Sequence, residues 1–334
     1  MHVAGFDTDE RVLVVAEIGN NHEGDVGIAR ELVAAAADAG ADAVKFQTFR
    51  TEHYVSRLDA ERFARLERFR LTFEEFEELA GLARERGLRF ISTPFDLESA
   101  AFLGGIADAI KIASGDNDFE PLLMRAAQTR LPMIVSTGLA EIGGIRSTVE
   151  LVRREWGGAD PGLAVLHCVS AYPVPAGEAH LRAISALAAE LDCVVGYSDH
   201  TAGVDAAPLA VALGARVIEK HFTLDKQYSD FRDHQLSADP PDLAELVRRI
   251  RLAEVLLGVA EKQVQPSERD GVVALRRSIA TVRDLPAGHV VAADDLTWIR
   301  PGGGLRPGEE ALLLGRRLRH AVAAGEQLAA ADVE

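Results

Sequence analysis

Two histidines stand just past short apolar runs: His200 follows Val-Val-Gly-Tyr-Ser-Asp, and His221 follows Val-Ile-Glu-Lys. If those runs are neighbouring parallel strands, roughly 5 Å apart, their ends lie side by side and both rings can bind one metal ion. Taken singly, each histidine reads as well as a hydrogen-bonded loop or core residue. Two lysines are embedded in apolar runs, Lys45 in Ala-Val-Lys-Phe and Lys111 in Ala-Ile-Lys-Ile. A buried lysine is costly unless paired, so both point to a bound phosphate or carboxylate. Polar residues end the other apolar runs too: Glu17, Gln47, Ser92, Thr93, Ser114, Ser136, Thr137, His167, Ser170, Ser198, Asp199 and Lys220.

The elements that must position these residues alternate. Strand-like runs at 12–16, 43–46, 89–91, 109–112, 133–135, 163–166, 193–195 and 216–218 are separated by helix-period segments. The helical segments fall at 26–39, 73–86, 97–103, 121–127, 142–156, 180–190, 204–213 and 242–257, with a polar stretch after the second strand. Almost wholly apolar strands separated by helices imply a parallel sheet covered on both faces. Eight such units predict an α/β fold, a (β/α)8 TIM barrel, whose strand C-termini surround one pocket. The expected domains are a barrel over 1–262, a linker over 263–274 and a small β-rich module over 275–334.

The chain has 334 residues and 48% apolar composition, enough for a large core. Its net charge of −16 argues against nucleic acid as a partner. Residues 275–334 hold 8 basic and 8 acidic side chains, leaving 28 of the 36 basic and 44 of the 52 acidic ones before them. An anion site in the barrel therefore works against the overall field. No apolar run reaches the roughly 20 residues of a membrane helix, and the start lacks a signal pattern, so a cytoplasmic protein is expected. Cys168 and Cys193 sit in or beside apolar runs and read as buried hydrophobes. No phosphate-binding glycine loop is present, and Gly-Gly-Gly-Leu at 302–305 reads as a loop.

Ordered motifs carry a resemblance. Ala-Glu-Ile-Gly-Asn-Asn-His-Glu-Gly (16–24), Val-Lys-Phe-Gln-Thr (44–48), Ser-Thr-Pro-Phe (92–95), Lys-Ile-Ala-Ser-Gly-Asp (111–116) and Ser-Thr-Gly (136–138) come first. His-Cys-Val-Ser-Ala-Tyr-Pro (167–173), Gly-Tyr-Ser-Asp-His-Thr (196–201) and Glu-Lys-His-Phe-Thr (219–223) follow. The whole series resembles the sialic acid (N-acetylneuraminate) synthase family, and the tail resembles its C-terminal antifreeze-like (SAF) domain.

The resemblance implies condensation of phosphoenolpyruvate with an N-acetylated aldose, N-acetylmannosamine or a related sugar, to a nine-carbon 2-keto-3-deoxy acid and phosphate. It also implies a divalent metal ion, Mn2+ or Mg2+, and a domain-swapped homodimer. It makes His200 and His221 the metal ligands and Glu17, Lys45, Lys111 and Asp233 the catalytic set. Both lysines, with Thr93, Ser114, Ser136, Ser170 and Ser198, would hold phosphoenolpyruvate. Gln47, Tyr172 and Arg300 would face the acceptor, Arg300 from the partner chain. Ser170 stands where the family often has asparagine. Glu17 reads equally as a proton carrier and as a sugar ligand.

After His221 the family often shows a Pro-Gly-Pro-Asp turn. Here 225–237 lacks Pro and Gly, is one residue longer and carries Phe231 and Arg232 before Asp233. Arg232 and His234 read either as contacts to a different acceptor or as a solvated loop face. The acceptor is thus open between N-acetylneuraminate precursors and those of legionaminic or pseudaminic type. A non-catalytic sugar-phosphate-binding barrel is the reading from another class.

Overall fold

The computed structural model describes residues 2–334. A short hairpin, β1 (His2–Val3) and β2 (Phe6–Asp7), precedes the expected series. Then come β3 (Leu13–Gly19), β4 (Ala43–Thr48), β5 (Arg89–Pro94) and β6 (Ala109–Ile112). They are followed by β7 (Met133–Ser136), β8 (Leu163–Cys168), β9 (Val194–Asp199) and β10 (Val217–His221). These eight pair in sequence, all parallel, and β10 closes on β3 to make a barrel.

The strand period of two sorts the side chains. One parity packs outward: Val14, Ala16, Val44, Phe46, Phe90, Ile110, Val135, Val165, Val195 and Ile218 form one core with Leu32, Leu79, Leu122, Val152, Leu187 and Leu246 of the helices. The other parity fills the barrel: Leu13, Val15, Ala43, Ile91, Ala109, Ile134, Leu166, Val194 and Val217 cluster with Val3 and Ala4 of the hairpin. Further along these inward rows, toward the C-terminal mouth, the apolar residues give way to Glu17, Lys45, Thr93, Lys111, Ser136, Cys168, Ser198 and Glu219. The site is the top layer of the barrel's own core.

Local chemistry sets the helix starts. Asp25 caps the helix Val26–Asp38 by accepting from the amides of Gly27 and Ile28, and Thr72 with Glu75 forms a capping box on Phe73–Glu85. The polar stretch after β4 holds an unforeseen helix, Ala60–Phe69, capped by Asp59. The helices expected at 180–190 and 204–213 are shorter, Ala183–Glu190 and Ala206–Ala212. The run at 193–195 extends as strand through Asp199.

Not every polar residue at a strand end faces the pocket. Ser92 and Thr48 share a hydrogen bond of 2.7 Å, Thr137 donates to the Leu166 carbonyl, and Lys220 pairs with Asp199 at 3.1 Å. His167 bonds to the Ala179 carbonyl. All have the outward parity, which corrects the expectation that these ends surround one pocket.

The chain divides into units Met1–Gly258 and Val259–Glu334. The stretch expected as a linker holds a 3-10 turn, Pro266–Glu268, and a helix, Gly271–Leu275. In the second unit β11 (Ser278–Thr281) pairs antiparallel with β12 (Leu296–Ile299). Ile279, Leu285, Val291, Leu313, Leu318, Val322 and Leu328 make its small core. Buried Asp295 ties it together, accepting from Arg283, His289 and the Ala292 amide. Among the described residues no helix is long and apolar enough to cross a membrane.

Candidate active site

The lysines meet across the mouth through a carboxylate between them. Lys45 Nζ lies 2.9 Å from Glu17 Oε2, 3.2 Å from Thr93 Oγ1 and 3.6 Å from Glu219 Oε2. Lys111 Nζ donates to Ser136 Oγ at 2.6 Å and to the Ile112 carbonyl, with Glu219 Oε2 at 3.9 Å. Glu219 Oε1 accepts from Ser198 Oγ at 2.9 Å. Burial opposes ionisation of both carboxyls, but the outcomes differ. Glu17 is held above its usual range by burial and by the charge of Glu219, despite Lys45. Glu219 is held below it, because Lys111 and Lys45 together outweigh its burial. Burial lowers the Lys111 ammonium, whereas for Lys45 the two carboxylates overcome burial and raise it. Two carboxyls whose affinities for protons are pushed apart mark an acid and a fixed counter-charge.

Two serines converge on Gly138. Its amide donates to Ser114 Oγ at 3.1 Å, and a Cβ at Gly138 would sit 2.3 Å from Ser170 Oγ and 2.7 Å from Ser114 Oγ. Only glycine allows this approach. Ser170 Oγ is buried without a hydrogen-bond partner. A glycine is needed in β3 as well: the register to β4 shifts between Glu17 and Gly19, Gly19 has φ +55°, and a Cβ there would press on Glu17 and Gln47.

The rings of His200 and His221 lie with centroids 5.3 Å apart, and the Tyr172 ring is 4.3 Å from that of His200. His200 Nδ1 lies 3.0 Å from the Val169 carbonyl, which can only accept, so in the neutral ring the lone pair is on Nε2. His221 Nδ1 is buried with no partner, and burial holds this ring far below its usual value, neutral as a ligand must be. Among the described residues no three His, Cys, Asp or Glu side chains are arranged around a metal position. The pair therefore fits an ion that takes its other ligands from substrate and water, not a closed structural site.

Beside this pair opens a cavity of about 900 Å³ lined by Asn20, Gln47, Asp233, Arg232 and the helix Ala60–Phe69. Asn20 donates to Gln47 Oε1 at 2.8 Å, and Gln47 donates to Glu17 Oε1 at 3.2 Å, linking the cavity to the lysine pair. Asp233 lies in the first turn of a short helix, Arg232–Leu236, and burial raises its carboxyl. Arg232 lies over the Tyr172 ring at 5.1 Å. His234 is neither an acceptor contact nor solvated: it is buried, 2.6 Å from Thr223 Oγ1 and 3.4 Å from Glu23. Arg300 belongs to the second unit, where its Nε donates to the Leu275 carbonyl.

Family models cover nearly all of this. The NeuB family model matches residues 32–262 and the SAF domain model matches 276–334. The chain belongs to the NeuB family. It is 38% identical to the N,N'-diacetyllegionaminic acid synthase of Legionella pneumophila, over 94% of this chain and 92% of that one. It is 34% identical to the N-acetylneuraminate-9-phosphate synthase of Mus musculus, over 85% and 82%. The crystal structure of N-acetylneuraminic acid synthetase from Leptospira borgpetersenii aligns with TM-score 0.74 and 34% identity, covering 78% of this chain and 90% of that one. These three relatives carry the names of nonulosonic acid synthases, and the solved one shares the fold.

In this NeuB-family chain the residues missed from sequence were Glu219, Asn20 and the arginines of the helix Ala60–Phe69. Glu219 carries a usable signal: it lies two residues before His221 in one strand and so faces the same way.

Proposed function

We propose that this chain condenses phosphoenolpyruvate with an N-acetylated aldose to a nine-carbon 2-keto-3-deoxy acid and phosphate. The observation that carries the reading is the lysine pair bridged by Glu219, set beside the two-histidine pair and a cavity of sugar size. Lys45, Lys111, Thr93, Ser114, Ser136, Ser170 and Ser198 hold the phosphate and carboxylate, and direct C3 of the enol toward the aldehyde. His200 and His221 would hold a divalent ion, Mn2+ or Mg2+, which when bound supplies a Lewis acid that polarises the acceptor carbonyl.

C3 attacks the aldehyde carbon, a C–C bond forms, and the carbonyl oxygen takes a proton. Glu17, protonated more readily than an ordinary carboxyl, gives that proton. Water adds to the cationic C2 and loses a proton, and collapse to the ketone breaks the C2–O bond and releases phosphate. Gln47, Tyr172 and Asp233 position the acceptor. Arg300 from a second copy in a domain-swapped homodimer would complete that side, and the legionaminic and N-acetylneuraminate names of the relatives define the acceptor classes to try. Phosphate release from phosphoenolpyruvate, followed with Mn2+ and each N-acetylated hexose, tests the reading. A sugar-binding barrel without catalysis would release none.

A further inference from the structure

The turn after β3 brings Asn20 to the cavity beside Gln47, and both side chains line its wall. A row of hydrogen bonds fixes how the two amides stand. Lys45 can only donate and lies 2.9 Å from Glu17 Oε2, while Glu17 Oε1 accepts from Gln47 Nε2 at 3.2 Å. Gln47 therefore turns Oε1 toward Asn20, which donates to it from Nδ2 at 2.8 Å. The far end of the row is Asn20 Oδ1. It is buried, in a residue only 6% exposed, and has no hydrogen-bond partner among the described residues. A buried carbonyl oxygen without a donor is costly and uncommon, so a donor from outside the chain is called for. The adjacent Asn21 supplies none, because its Nδ2 is given to the Phe222 carbonyl and to Ser237 Oγ. Asn21 Oδ1 is unpartnered as well, but Asn21 is not among the residues that line the cavity.

We propose that Asn20 binds the acceptor sugar directly, its Oδ1 accepting a hydrogen bond from a hydroxyl on C3 or C4. The proposal rests on the synthase reading and adds a specificity-determining residue to it. The row of bonds sets the place: Glu17 serves the aldehyde at C1, Gln47 stands one amide away, and Asn20 stands one amide further, beyond C2. The cavity, about 900 Å³, has room for the whole hexose. An oxygen that can only accept selects a donor. A site built to hydrogen-bond a substrate hydroxyl discriminates against the analogue that lacks it, because its own polar group is then stranded.

The test compares N-acetylmannosamine with its 3-deoxy and 4-deoxy analogues, each with phosphoenolpyruvate and Mn2+, in the full-length chain and in Asn20→Leu, which keeps the size of the side chain. If the leucine variant does not fold, Asn20→Ala takes the same measurements. In the wild type one deoxy analogue is expected to fall below N-acetylmannosamine in kcat/KM by about tenfold or more, as a stranded buried acceptor gives. In the variant that ratio is expected to be close to one, with KM for phosphoenolpyruvate unchanged. Asn20 acting only by orienting Gln47 would slow all three sugars alike and leave the ratio as in the wild type. A ratio unchanged in the variant, or no loss with either deoxy analogue in the wild type, overturns the contact. Calorimetric binding of the same sugars, with excess inorganic phosphate filling the lysine site, separates the two claims. Binding that depends on Asn20 and on one hydroxyl, without turnover, leaves the contact standing and removes the synthase reading. Binding of no sugar removes the contact.

Discussion

Replacing Glu219 by Gln removes the charge that lies between two buried lysines while keeping an oxygen for Ser198. Its Oε2 is 3.6 Å from Lys45 Nζ and 3.9 Å from Lys111 Nζ. At an effective dielectric of about 20, each contact is worth about 4.5 kcal/mol of gross attraction. Desolvation offsets much of that, but removing one member of a buried ionic cluster still costs about 3–5 kcal/mol, because the remaining charges are stranded. The retained Ser198 bond favours the lower end, about 3 kcal/mol, equivalent to a fall in Tm of about 6–12 °C for a barrel of this size. An anion on the lysines replaces the missing charge. Phosphate at about 100 times its Kd stabilises by about 2.7 kcal/mol, and the variant is expected to gain more than the wild type. The assay is urea or thermal unfolding with and without phosphate. The Glu219 carboxyl lies below its unfolded value of 4.5, so its stabilisation is present above pH 4.5 and lost as pH falls through the folded value. The Gln variant lacks that dependence. An equal loss of Tm with and without phosphate, or no loss, refutes a charge bridging the lysines.

Three further outcomes are expected. Gly138→Ala drives Ser114 and Ser170 apart and weakens phosphoenolpyruvate binding about tenfold or more, with an unchanged far-ultraviolet spectrum; unchanged affinity, measured by fluorescence quenching, contradicts it. Lys220→Met strands Asp199, whose carboxylate anchors Thr201 next to His200; it costs about 3–5 kcal/mol and weakens Mn2+ binding in calorimetry, and unaltered Mn2+ affinity would show that the pair does not set the histidines. Glu17→Gln lowers kcat about 100-fold or more. As an acid of raised pKa, Glu17 makes activity fall as pH rises through that value, so the variant's profile is expected to lack this limb; a wild-type limb in the variant assigns the proton elsewhere.

The barrel was legible because its strands are short apolar runs separated by helical periods, and because lysines inside such runs have few structural explanations. The period of two carries more than the strand positions. It separates inward Lys45 and Lys111 from outward Lys220, and it puts Glu219 in the site with His221. Reading strand ends as a set, without their parity, brought Ser92, Thr137, His167, Asp199 and Lys220 in and left Glu219 out. The acceptor wall was harder to see. Phe63, Leu66 and Phe69 recur every third residue in the helix Ala60–Phe69, but five charged residues surround them and the stretch reads as merely polar. His234 was ambiguous because its burial depends on Thr223 and on Glu23, which is distant in sequence.

Isotope transfer tests the condensation most directly. The full-length chain with Mn2+ is given phosphoenolpyruvate carrying ¹⁸O in the C2–O–P bridge, together with the sugars above. Condensation with C–O cleavage yields phosphate that carries the label, only in the presence of a sugar, with an equal amount of a 2-keto-3-deoxy acid three carbons longer than the acceptor. Labelled pyruvate with unlabelled phosphate, or no sugar-dependent release, contradicts it.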